Sequence, residues 1–338
     1  MIRPDLEAIP AYVPGVRDER AIKLSSNECA EGPLPPVLDA MREALGEINR
    51  YPDIGALQLR TALGEHLGVA PEQVALGAGS SALCQQLVSI AAQPGDEVVF
   101  PWRSFEAYPI FVQVVGATPV RVPLDSDDRL DMPALAAAVT ERTKLIFICN
   151  PNNPTGTTIT GAEFTAFMDE VPADVLVVLD EAYFEYNHAD DTPVATEVIT
   201  RYPNVVGLRT FSKAYGLAGA RIGYAFGPRP IIEALNKVSI PFSVSAVAQE
   251  AALASLKAQE ALRARIDGTV AERSRVVDKL GLAESQANFV WLPGASKELA
   301  DRLATEGVLV RAFPEGIRVT VTNAEETDAL LEAFNRAQ

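Results

Sequence analysis

Residues 174–186 read "DVLVVLDEAYFEY". The apolar run from Val175 to Leu179 reads as a buried strand, and Asp180 closes it. A carboxylate at the end of a buried strand needs a cationic partner or hydrogen-bond donors. A helix N-cap or a structural ion pair meets that need as well as a ligand does. Tyr183, three residues on, can point into the same cleft.

Outward from this strand the chain alternates. "DEVVFP", "TPVRVP", "KLIFI" and "NVVGLRTFS" are strand-like, and "EAYPIFVQVVGA", "LDMPALAAAVT" and "GAEFTAFMDEV" between them have helical patterning. Short buried strands separated by roughly 10–15-residue helices predict an α/β fold, a mostly parallel central sheet with helices on both faces. Ligands of such sheets bind beyond the C-terminal strand ends. From Val238 the pattern changes. Residues 246–281 read as one long amphipathic helix. "ANFVWLP", "GVLVRAF" and "GIRVTV" then give three strands with a helix between the first two. The expected organisation is an N-terminal arm (1–25), a large domain (26–237) and a small α+β domain (238–338). The Pro-rich arm is expected to pack on the small domain or on a partner.

Composition narrows the function classes. The 338-residue chain carries a formal charge of −16. That argues against nucleic acid and against an anionic membrane surface, both of which call for a basic face. The hydrophobic runs are far too short to span a bilayer. The opening "MIRPDLEAIPAY" has no apolar core of a secretory signal. Cys29, Cys84 and Cys149 are widely spaced, with no metal-ligand spacing and no disulfide framework. A reducing cytoplasm fits them, and no metal is expected. The two histidines, His66 in a predicted helix and His188 in a predicted loop, are too few for a Ser-His-Asp triad or a His-rich metal site to be the natural reading.

Three more stretches fall at strand ends. "CNPNNPTG" (149–156) is a rigid turn whose asparagines can hold a ligand oxygen. "LGAGSSALCQQL" (76–87) runs from a strand into a helix, leaving backbone N–H groups at Ser80 and Ser81 for an anion. It lacks the ending of a nucleotide P-loop. "TFSKAYGLAGARIGY" (210–224) sets Lys213 among small and aromatic residues. An amine in an apolar cleft has a depressed pKa and can form a Schiff base. Thr210, Ser212 and Arg221 are suited to gripping a phosphate. Each feature alone has a structural explanation. As a set they match the needs of pyridoxal 5′-phosphate.

The combination of "NPNNPTG", "DEAY" and "TFSKAYGLAGARIGY" resembles the fold-type I pyridoxal-phosphate aminotransferases, within the group that contains the histidinol-phosphate enzymes. It is most similar to the aromatic amino acid aminotransferases of actinobacteria, from "YVPG" to "RVTV". The resemblance implies that Lys213 carries the Schiff base and that Asp180 pairs with the pyridine nitrogen. It implies that Asn153 and Tyr183 bond the ring's phenolic oxygen, and that Phe105 stacks on the ring. Ser80, Ser81, Thr210, Ser212 and Arg221 would hold the phosphate. Tyr51 would reach the cofactor of a second subunit, implying a homodimer with shared sites. Arg318 would fork onto the substrate α-carboxylate.

The implied reaction moves the amino group of phenylalanine, tyrosine and, less centrally, tryptophan to 2-oxoglutarate by a ping-pong mechanism. Tyr12, Asn27, Phe105 and Phe242 are candidates for the side-chain pocket, and Arg311 for a second anion. The scaffold also leaves open histidinol-phosphate aminotransfer, decarboxylation of an amino-acid phosphate and a non-catalytic cofactor-binding regulator.

Overall fold

The computed structural model describes residues 2–13, 15–16 and 18–337. A short strand, β1 (Ile22–Lys23), precedes the main sheet. That sheet contains β2 (Val74–Gly77), β3 (Glu97–Trp102), β4 (Thr118–Pro123), β5 (Thr143–Cys149), β6 (Leu176–Asp180), β7 (Val205–Thr210) and β8 (Gly223–Phe226). Their spatial order is β2-β8-β7-β6-β5-β3-β4. β8 runs antiparallel to both its neighbours, and the other pairings are parallel. The mostly parallel sheet read from the sequence is therefore present.

β5 explains why both faces are covered. Leu145, Phe147 and Cys149 join one apolar cluster, and Ile146 and Ile148 join the other. Side chains alternate along a strand, so a strand apolar at both parities needs a helix layer on each side. The helices Ser80–Ala91, Tyr108–Val114 and Arg229–Val238 cover the first face. The helices Met132–Ala137, Gly161–Glu170 and Ala246–Lys257 cover the second. Helix Gly161–Glu170 starts where the sequence says it should: Thr160 and Glu163 form a reciprocal capping box.

The rest of the chain contains β9 (Phe289–Pro293), β10 (Val308–Leu309), β11 (Arg311–Phe313) and β12 (Gly316–Thr320), which form a three-stranded sheet and, through β10, a two-stranded one. β11, β12 and β9 are antiparallel in that order, while β10 pairs in parallel with β1. Segment 307–313, expected as one strand, thus divides at Val310 between two partners. The long helix expected over 246–281 also divides, at Ala258, whose backbone (φ −96°, ψ 36°) leaves the helical region. The break lets Ala248, Ala251 and Ala252 pack on the large core while Val276, on helix Gln259–Leu280, reaches the small one. The large core therefore extends past the boundary expected at residue 238, and Leu24 joins the small core from before residue 26. The arm touches both parts. Arg3 donates to the Val114 carbonyl at 3.0 Å, and the Val13 carbonyl accepts from Arg311 at 3.1 Å.

Phe147 sits at the centre of the sheet, fully buried and stacked on Tyr108 with centroids 4.3 Å apart. Phe147→Ala is expected to cost about 3–5 kcal/mol, read as a lower guanidinium denaturation midpoint.

Candidate active site

β2, β3, β5, β6 and β7 point their C-terminal ends toward one cavity of about 610 Å³. Tyr12, Asn27, Ser80, Ser81, Phe105, Asn153, Asp180, Tyr183, Thr210, Ser212, Lys213, Arg221, Arg311 and Arg318 all line it. Nearly every site residue singled out in the sequence is brought together here.

Asp180 ends β6 and is only 4% exposed. Its Oδ2 accepts from Tyr108 Oη at 2.6 Å, and its Oδ1 from the Ala182 amide at 3.2 Å. Burial pushes its carboxyl up to about 6, although the Tyr108 hydroxyl pulls the other way. The next residue, Glu181, is also buried and pairs with Arg209 at 2.8 Å. Two adjacent acids have therefore met burial differently: Glu181 has a cation, Asp180 a hydroxyl and an amide.

Lys213 lies just beyond β7, and its Nζ donates to the Ser26 carbonyl at 3.2 Å. Loss of water around the amine, reinforced by the positive charge of Arg318, lowers its pKa to about 8.

A cradle of donors forms one wall. Ser80 and Ser81 open helix Ser80–Ala91, and Arg221, at φ 54°, bends back toward them. Arg221 Nη1 donates to the Ala218 carbonyl at 2.8 Å and reaches Ser212 Oγ at 3.4 Å. Two glycines make the approach possible. A Cβ on Gly79 would lie 2.3 Å from Arg221 Nη2, and one on Gly223 would lie 2.5 Å from the Ser80 nitrogen. Backbone amides, hydroxyls and a guanidinium around one space are the donor set for a phosphate.

Arg318, on β12, is buried at 7% exposure. Nη1 donates to Asn153 Oδ1 at 2.5 Å and Nη2 to the Ser25 carbonyl at 2.7 Å, while its Nε has no partner. Among the described residues no carboxylate bonds this guanidinium. Tyr183 Oη accepts from Asn27 Nδ2 at 2.9 Å, and Asn27 Oδ1 accepts from Thr320 at 3.0 Å. Asn27, expected only as a pocket wall, thus also positions Tyr183.

Tyr51 and Phe242 lie elsewhere. Tyr51 is 81% exposed and stacks on Phe242, with centroids 4.6 Å apart. Phe242 borders a separate cavity of about 390 Å³. Phe242, a candidate for the side-chain pocket, is not among the residues that line the first cavity of this chain. It packs on the exposed Tyr51 and has a left-handed backbone (φ 58°). Sequence reading missed Tyr108, Ser26 and Glu106. Only Tyr108 carried a signal: a phenol among apolar residues needs a partner for its hydroxyl.

An α/β sheet ending in an amine, a facing carboxylate, an anion cradle and an unpaired guanidinium defines an enzyme cavity built for anionic, amine-bearing ligands. The pattern described as aminotransferase class I and II matches residues 19–334, and the chain belongs to that family. It is 63% identical to an aromatic amino acid aminotransferase of Corynebacterium glutamicum (strain R), over 99% of this chain and 98% of that one. It is 56% identical to an aromatic amino acid aminotransferase of Rhodococcus jostii (strain RHA1), over 97% of this chain and 94% of that one. It also superposes on a histidinol-phosphate aminotransferase of Sinorhizobium meliloti, crystallised with pyridoxal-5′-phosphate, with a TM-score of 0.91. That match has 32% identity and covers 99% of this chain and 97% of that one.

The two central charges set a pH dependence in the ligand-free protein. Asp180, raised in the fold, contributes stability below the ordinary carboxylate range and loses it as pH rises through about 6. Lys213, lowered in the fold, contributes above the ordinary lysine range and loses it as pH falls through about 8. Between those values both are charged at a cost. Asp180→Asn is therefore expected to stabilise the ligand-free protein at pH 8 by about 1–3 kcal/mol, with little gain at pH 4. Thermal denaturation at the two pH values measures the difference.

Proposed function

We propose that this chain is an aromatic amino acid aminotransferase working with pyridoxal 5′-phosphate. The observation that carries the reading is the separation of charges in one cavity: an anion cradle, a buried carboxylate and an unpaired guanidinium, with the Lys213 amine among them. The cofactor fits these residues. The cradle closed by Gly79 and Gly223 suits its phosphate, and Asp180 its pyridine nitrogen. Asn153, whose Oδ1 is taken by Arg318, keeps its Nδ2 for the phenolic oxygen, together with Tyr183. Phe105 lies on the cavity wall for the ring. When bound, pyridoxal phosphate supplies an electron sink and carries the amino group between substrates.

The chain's own residues do the rest. Arg318 receives the substrate α-carboxylate in a bidentate fork. Lys213 Nζ takes the α-proton and returns it; a pKa near 8 leaves part of the amine neutral at working pH. Tyr12, Phe105, Ile110 and Phe111 offer aromatic and aliphatic surface to the side chain. That the substrates are aromatic amino acids is supported by the Corynebacterium and Rhodococcus relatives, which are named for that activity. Phenylalanine, tyrosine and tryptophan as donors, 2-oxoglutarate as acceptor and two alternating half-reactions complete the proposal. The fold match to the Sinorhizobium enzyme favours a second reading, histidinol phosphate.

A homodimer is part of the proposal. Ile48, Ile54, Leu57 and Ile240 are exposed apolar side chains, and Ile54 and Ile240 border the same cavity as Phe242, the stacking partner of Tyr51. A second copy would cover them and bring Tyr51 to its neighbour's cavity. Three free cysteines support a cytoplasmic setting. Among the described residues no helix is long and apolar enough to cross a membrane.

The test is a side-by-side steady-state assay with phenylalanine and histidinol phosphate. Phenylalanine is expected to have the higher kcat/KM, and the reverse order overturns the substrate reading. Lys213→Ala is expected to lower phenylpyruvate release by at least about 10⁴-fold, and normal turnover in that variant overturns the mechanism.

A further inference from the structure

Arg311 and Arg318 stand directly opposite each other on β11 and β12. Like charges at opposed strand positions repel. The pair is tolerated because only one of the two is uncompensated. Arg311 Nη2 forms an ion pair with Glu106 Oε2 at 2.9 Å and also donates to the Val13 carbonyl at 3.1 Å. Arg318 has neutral partners and a free Nε. Glu106 does not line the cavity, but Arg311 does. The outer end of the cavity therefore presents a guanidinium whose charge is already answered from behind.

The hairpin is also held in place. Glu315, in the turn between β11 and β12, takes both Arg103 Nε and Nη2, at 3.0 and 2.8 Å. Arg103 and Glu106 belong to the same segment after β3, so that segment grips the hairpin at its tip and at Arg311.

We propose that Glu106 is a specificity-determining residue. By pairing with Arg311 from outside the cavity lining, it leaves Arg318 as the one unanswered guanidinium of the hairpin, for substrates that carry one carboxylate and an uncharged side chain. The proposal rests on the aromatic aminotransferase reading and deepens it. An aromatic amino acid brings a single carboxylate, which Arg318 takes, and its ring meets no unanswered charge. A side-chain phosphate brings between one and two further negative charges and finds Arg311 already paired with the Glu106 carboxylate behind it. A dicarboxylate acceptor is admitted only when Arg311 turns from Glu106 to the second carboxylate, so Glu106 weakens that half-reaction's binding. Arg311 is thus kept in reserve instead of acting as a standing anion site.

The experiment compares unreactive probes on the cofactor-loaded protein by calorimetry. 3-Phenylpropionate carries one carboxylate and glutarate carries two. In E106Q, glutarate is expected to bind about fivefold to tenfold more tightly than in the unmodified protein, and 3-phenylpropionate within about twofold. E106D, which keeps the charge, is expected to restore the original preference. In turnover, E106Q is expected to lower KM for 2-oxoglutarate and to raise the ratio of kcat/KM for histidinol phosphate over phenylalanine by a similar factor. An unchanged glutarate preference overturns the proposal, as does equal tightening of both probes or an E106D that behaves like E106Q. Failure of the underlying reading looks different: the unmodified enzyme itself would then not release phenylpyruvate from phenylalanine.

Discussion

The hydrogen bond from Tyr108 to Asp180 is the contact on which the site depends. A carboxylate at the centre of a parallel sheet has lost its water, and one hydroxyl and one amide replace it. That exchange is incomplete: burial raises the proton affinity of Asp180, and among the described residues no cation bonds it. The same fold gives Glu181 the opposite treatment. Successive side chains on a strand face opposite sides, and Glu181 meets Arg209, stacked over Phe184 at 3.4 Å, behind the sheet. The sheet separates a structural ion pair from a poised acid with one peptide unit between them.

Around Asp180 the other charges are likewise left short of full partners. Lys213 has a carbonyl, Arg318 has an amide oxygen and a carbonyl, and Arg221 has a carbonyl and a distant hydroxyl. Where such a group is buried, as Arg318 is, the condition is costly for stability and leaves it ready for a ligand; Arg221 is exposed and bears less of that cost. Arg311 is the exception, because Glu106 answers it. The cavity therefore sets one satisfied ion pair, at Arg311, beside cations that have only neutral partners.

Much of this was legible in order along the chain. Strands apolar at both parities announced a doubly covered sheet, and each polar motif followed such a strand. Asp180, Asn153, Thr210 and Lys213 were found because strand ends in a parallel sheet converge on one edge. What failed were features set by distant partners. The break at Ala258 serves two separate cores. The division of 307–313 depends on β1, nearly three hundred residues earlier. The place of Phe242, against Tyr51 and beside a second cavity, likewise depends on a distant residue.

The sequence by itself determined the class of fold, the family and the polar groups that come to line one cavity, because periodicity and local motifs encode strand ends and the groups that follow them. Only the tertiary structure decided which charges are answered. Tyr108 against Asp180, Ser26 against Lys213 and Glu106 against Arg311 join residues separated by 72, 187 and 205 positions. Electrostatic free energy depends on distance and on the water excluded between groups, and neither is written in the order of residues along a chain.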